Sequence, residues 1–136
     1  MSELRNSSLV LELVRRGLAL AVHDIGLGGL SAALAEMSVL GGVGVEVDLE
    51  RVPCRGCLRV DEVVFSETQA RYVIEVRAGG VEEVLRLAGQ VGVEVSVIGR
   101  TVARGVYRLR FGSTVAELPL DTLRDAYLGG LERYFR

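Results

Sequence analysis

The chain has 136 residues, the size of one domain, and can bury a core without disulfides or metal. Its formal charge of −2 gives no electrostatic reason to expect nucleic acid, and no apolar run approaches the ~20 residues that cross a bilayer. All sixteen basic residues are arginine, which excludes a Schiff-base or P-loop lysine within the chain. No signal-peptide pattern opens the sequence, so the expected compartment is the cytoplasm.

Residues 1–7 are expected to be disordered. Ser7 or Ser8 then caps a first helix over 9–16, which Gly17 ends. The apolar run 18–22 reads as part of a strand over 18–23. After it comes His23-Asp24-Ile25-Gly26-Leu27-Gly28-Gly29-Leu30, a glycine loop feeding a helix over 30–40 in which Leu30, Ala33, Leu34 and Met37 recur at spacings of three and four. The unpaired N–H groups at that helix start favour an anion such as phosphate. Asp24, at the strand end, could reach a metal or a donor group. Close packing of helix on sheet accounts for the glycines equally well. The spacing is neither a Walker loop nor the dinucleotide G-x-G-x-x-G.

Gly41-Gly42 stops the helix, and 43–49 alternates apolar and polar residues as a half-exposed strand. The loop 50–59 holds Cys54 and Cys57, a lone C-x-x-C. Zinc needs about four ligands, and the chain has one His and no second cysteine pair. A structural pair, oxidised or free, is the expectation, with metal or redox chemistry as the alternative. A short helix over 60–65 leads to Ser66-Glu67-Thr68-Gln69-Ala70-Arg71. A strand over 72–76, a turn at Gly79-Gly80 and a helix over 81–88 follow. The next elements are a strand over 94–98, a hairpin of 107–111 with 114–118 around Gly112-Ser113, and a last helix over 122–135 capped by Asp121. The order predicts one α+β domain over 1–136, with helices packed on a mixed sheet and a split β-α-β, ferredoxin-like arrangement.

Two motifs stand about forty residues apart: His23-Asp24 with Gly28-Gly29-Leu30, and Ser66–Arg71. The pair resembles the C-terminal domain of the aminoimidazole-ribonucleotide-synthetase superfamily. The run from Phe65 to Arg71 is similar to the F-S-E-S-Q-x-R of one family within it, the formylglycinamide ribonucleotide amidotransferases (phosphoribosylformylglycinamidine synthases). Ile98-Gly99 resembles that family's I-G-x-V turn, and the tail 123–135 resembles its closing amphipathic helix. The resemblance covers roughly residues 8–135. Where the family has H-D-V-S-D/E-G-G-L, this chain has Gly26 and Leu27 in place of the hydroxyl and the acid.

The resemblance implies an ATP- and magnesium-dependent amidation in which ammonia comes from a glutaminase subunit. The partners implied are the remaining synthase domains, that glutaminase and a small accessory subunit, with no membrane or nucleic acid. It implies that Asp24, Gly28, Gly29, Glu67, Thr68, Gln69 and Arg71 bind substrate or phosphate, with Asp24 as a metal ligand and no catalytic residue in this chain. The isolated chain is expected to need no cofactor and to be inactive, since the family's N-terminal ATP domain has no counterpart here. Bland readings stand beside these: a packed His23, an Asx turn at Asp24, and a Glu67/Arg71 pair across one helical turn. The alternatives are a non-catalytic architectural domain and the C-terminal domain of another member such as selenophosphate synthetase.

Overall fold

Helix α1, Ser2–Arg15, buries Leu9 and Leu13, one turn apart on one face. A computed structural model describes residues 2–56, 59–103, 105–130 and 135. The chain divides into two compact units, Met1–Ala33 with Val52–Val97 and Leu34–Arg51 with Ile98–Arg136.

In the first unit, strands β1 (Ala19–Asp24) and β3 (Tyr72–Val76) form an antiparallel ribbon, with Ala19 opposite Val76 and Asp24 opposite Tyr72. Helices α1 and α4 (Val81–Val91) cover it. Leu9, Leu13, Val84, Leu87 and Ala88 make a cluster onto which Leu18, Ala19, Ile74, Val76 and Val93 pack. Leu13 is fully buried, so Leu13→Ala would cost about 2–5 kcal/mol. Helix α1 ends as expected at Gly17: Leu18 N–H donates to Leu13 O at 3.0 Å and Gly17 N–H to Val14 O at 3.0 Å, a Schellman pair. Its start differs from the sequence reading. The helix begins at Ser2, not at residue 9 behind a disordered lead, and Ser7 caps nothing. Ser7 Oγ donates instead to Glu3 O, one turn back, at 2.8 Å. Helix α2 (Gly29–Gly41) buries Leu30 and Ala33 within this unit. Helix α3 (Val60–Phe65) matches the expected span; Arg59 N–H donates to Glu62 Oε2 at 3.1 Å, covering its first turn.

The second unit holds a four-stranded mixed sheet in the order β4-β2-β5-β6. Strand β2 (Gly44–Asp48) runs parallel to β5 (Val106–Phe111) and antiparallel to β4 (Gly99–Val102), while β6 (Thr114–Pro119) closes the predicted hairpin. Val45, Val47, Tyr107 and Leu109 are buried on one face, and burial pushes the Tyr107 hydroxyl pKa far up. The other face carries a cross-strand row of charges. Glu46 takes Arg100 at 2.8 Å and Arg108 at 3.0 Å, Arg108 takes Glu117 at 2.6 Å, and Arg110 pairs with Asp48.

The class is α+β with helices and a mixed sheet, although the strands divide between two sheets. One expected strand is misplaced. Residues 93–98 have no regular structure, and the ladder to β2 begins at Gly99. A Cβ at Gly99 would collide with the Glu46 carbonyl, so this position admits the close approach that residues with side chains do not. Helix α5 (Leu120–Gly129) starts after Pro119 with Leu120 N–H donating to Gly105 O at 2.8 Å. Asp121 lies in its first turn rather than at its cap, and of the predicted helix beyond it residues 131–134 lie outside the described residues.

Candidate functional site

The β1–β3 ladder does not stop at Asp24 and Tyr72. Ile25 N–H donates to Arg71 O at 2.8 Å, so the glycine loop and the Ser66–Arg71 loop leave the same end of the ribbon side by side. The structure thereby brings together two motifs that lie about forty residues apart in sequence.

In the glycine loop, Gly28 and Gly29 have φ of +80° and +68°, and Gly29 N–H closes a turn onto Gly26 O at 3.0 Å. Gly29 has a second constraint. A Cβ there would lie 2.5 Å from Val64 O and 2.7 Å from Phe65 C, the backbone at the end of α3. No residue with a side chain fits this crossing. The Asp24 carboxylate is exposed, while His23 Nδ1 donates to the Asp24 carbonyl at 2.6 Å. Leu27 is exposed at the loop tip.

The second loop leaves α3 at Ser66 in an extended conformation. Arg71 folds back inside it: Nε donates to Thr68 O at 3.2 Å, and the guanidinium also reaches Ser66 O. Partial burial lowers the Arg71 pKa from its ordinary value. Ser66 Oγ and Thr68 Oγ1 share a hydrogen bond of 2.9 Å. Gln69 is exposed and makes no hydrogen bond among the described residues. Ser66, Thr68 and Arg71 also border an open groove of about 760 Å³ with Pro53, Cys54 and Phe65.

Two expectations change. Glu67 and Arg71 form no ion pair among the described residues, because 66–71 is not helical: Ala70 sits at φ +62°. Glu67 instead reaches across to the other loop, where its Oε1 accepts from Gly28 N–H at 2.9 Å. A carboxylate thus occupies an amide that the sequence reading offers to phosphate, and it serves the N-terminal end of α2 in the same electrostatic sense. Sequence reasoning also misses Asn6, whose Nδ2 donates to Ala70 O at 2.7 Å across 64 positions; no local pattern signals such a contact.

Among the described residues no group of three or more His, Cys, Asp or Glu is placed to hold a metal ion. Cys54 is disulfide-bonded, and Cys57 lies outside the described residues. No described helix is long and apolar enough to cross a membrane.

Residues 4–112 match the family model for the AIR synthase related protein, C-terminal domain. The chain belongs to this family. Curated relatives of the domain include phosphoribosylformylglycinamidine synthase subunit PurL of Caldivirga maquilingensis, 42% identical over 90% of this chain and 17% of the relative. The same subunit of Thermococcus kodakarensis is 38% identical over 92% of the chain and 17% of its own length. The domain therefore spans about a sixth of the curated relatives it matches. Among solved structures, Thermotoga maritima PurL complexed with FGAR superposes with a TM-score of 0.82 at 27% identity, covering 90% of this chain and 21% of that one. The same protein complexed with ATP matches at 0.81 and 27%, over 88% and 21%. The structure of T. maritima PurLQS matches at 0.80 and 26%, over 90% and 21%.

Proposed function

We propose that this chain is the C-terminal domain of the large subunit of a formylglycinamide ribonucleotide amidotransferase, the C–N ligase that makes formylglycinamidine ribonucleotide in purine biosynthesis. One observation carries the reading: the domain aligns over nine-tenths of its length with subunits bearing that name, at up to 42% identity. In the complete enzyme ATP phosphorylates the formamide oxygen. Ammonia from a glutaminase partner attacks the carbon, and phosphate leaves. The enzyme would work in the cytoplasm, with a small accessory subunit as a further partner.

This domain's part is binding and positioning. Asp24 and Gln69 present polar groups to solvent at the loop pair, Thr68 lines the groove, and Arg71 braces the loop through Ser66 O and Thr68 O. Gly29 lets the glycine loop cross the end of α3, and Glu67 joins the two loops through the Gly28 amide. Magnesium, when bound, would neutralise charge on the transferred phosphoryl group, with Asp24 as the residue of this chain that would hold it. The chain alone has no lysine and holds at most part of such a site, so it should not turn over ATP.

A second reading, an architectural domain, is favoured by the Glu67 carboxylate on the Gly28 amide, which consumes a phosphate donor. A chimera separates the two. The matched segment of T. maritima PurL is replaced by this chain, folding and ATP binding are verified, and ATP-dependent amidation is measured. Turnover is expected; a folded, ATP-binding chimera without turnover would overturn the proposal.

A further inference from the structure

We infer that Asn6 is a positioning residue for the Ser66–Arg71 loop, acting by holding Ala70 in its left-handed conformation. The inference rests on the reading of that loop as substrate-facing. Ala70 has φ +62° and is the only non-glycine among the described residues with a positive φ. An L-residue adopts that conformation at a cost, so something outside the residue must fix it. The neighbouring contacts do not. Arg71 braces Ser66 and Thr68, upstream of Ala70, and Glu67 reaches to Gly28. The contact made to Ala70 itself comes from α1: Asn6 Nδ2 donates to Ala70 O at 2.7 Å in a partly buried setting.

Left-handed backbone at residue 70 turns the carbonyl toward α1 and lets the next residue enter the ribbon. There Arg71 O accepts Ile25 N–H at 2.8 Å. The bond from Asn6 is therefore set one residue before the point where the loop joins the ladder. Gln69, exposed and unbonded, lies on the other side of Ala70, so the same turn sets where it projects. Among the described residues the side-chain hydrogen bond of Asn6 goes to Ala70 and to none of the site residues. Its effect runs through one peptide carbonyl.

The test uses Asn6→Ala in the 136-residue chain. Alanine is the better helix former, so α1 is not weakened and any loss belongs to the lost bond. Hydrogen exchange at the Ile25 and Gly28 amides should quicken roughly three- to tenfold, the scale of one hydrogen bond. Adding Ala70→Gly, which removes the left-handed cost, should return both amides most of the way to wild-type protection. Unchanged exchange in Asn6→Ala, or no recovery in the double variant, would overturn the inference. In the chimeric synthase, Asn6→Ala should raise KM for formylglycinamide ribonucleotide with kcat kept. If Glu67→Ala raises KM while Asn6→Ala does not, Asn6 has no positioning role. If neither moves KM although the amides respond, the substrate-facing reading of the loop fails and the positioning role falls with it.

Discussion

Replacing Gly29 by alanine imposes two penalties that a second glycine separates. Gly29 and Gly17 have almost the same φ, +68° and +67°. Each would charge an alanine about 1–2 kcal/mol for left-handed geometry. At Gly17 the new Cβ meets nothing within 4 Å, so that is the whole cost. At Gly29 it meets Val64 O at 2.5 Å, Phe65 C at 2.7 Å and Phe65 Cα at 2.8 Å. These are backbone atoms at the end of α3, and they can yield only by moving the helix end. Overpacking of this kind adds about 1–3 kcal/mol. Gly29→Ala should therefore cost roughly 2–5 kcal/mol, a large share of the ~5–15 kcal/mol of a typical domain. Urea unfolding of the two variants reads the difference. With m of about 1–3 kcal/mol/M, the Gly29→Ala midpoint should fall clearly below that of Gly17→Ala at unchanged m. Coincident midpoints would refute the claim that loop and helix cross in contact at Gly29.

Three further outcomes follow from the same geometry. Glu67→Ala should free the Gly28 amide, so NMR shifts of Gly28, Gly29 and Leu30 on adding phosphate should be larger than in wild type; smaller shifts would mean that Glu67 does not compete for the donor. Glu46→Gln removes the centre of the charge row on the second unit's sheet. Its destabilisation, read by urea unfolding, should shrink as salt rises toward ~1 M, where the Debye length is about 3 Å; a salt-independent loss would count against an electrostatic origin. The hydrogen bond and charge of Arg59 lower the Asp61 pKa from 3.8. That contribution to stability is present above the unfolded value and lost as pH falls through the folded one. An NMR titration of Asp61 should show a midpoint below 3.8 that returns toward it in Arg59→Ala.

Local signals in the sequence were read well where burial and ladder agreed with them. Val60–Phe65 and Tyr72–Val76 have the predicted bounds, and Gly17 and Gly112 punctuate where expected. The misreadings share a cause. Val93, Val95 and Val97 alternate like a strand, yet pairing with β2 is set by which residue tolerates the Glu46 carbonyl, and that is Gly99. Ser7 and Ser8 have capping chemistry, yet Leu9 and Leu13 are buried against α4 and the helix continues through the serines to Ser2. At the candidate site the residue types were legible and their partners were not. Glu67 and Arg71 at a spacing of four read as a helical pair, whereas in the non-helical loop one reaches Gly28 and the other turns into its own loop. Contacts spanning 39 and 64 positions, Glu67 with Gly28 and Asn6 with Ala70, are written in the tertiary fold alone.

The central claim is that the paired loops of this domain meet the substrate of an amidotransferase. Its most direct test is steady-state amidation of formylglycinamide ribonucleotide by the complete large subunit carrying this domain, with its glutaminase partner present. Wild type is compared with Glu67→Ala and Arg71→Ala. Each variant should lower kcat/KM by about tenfold or more, well beyond the ±0.5 kcal/mol of an ordinary surface change. Wild-type kcat/KM in both would contradict the claim and leave the loops as architecture.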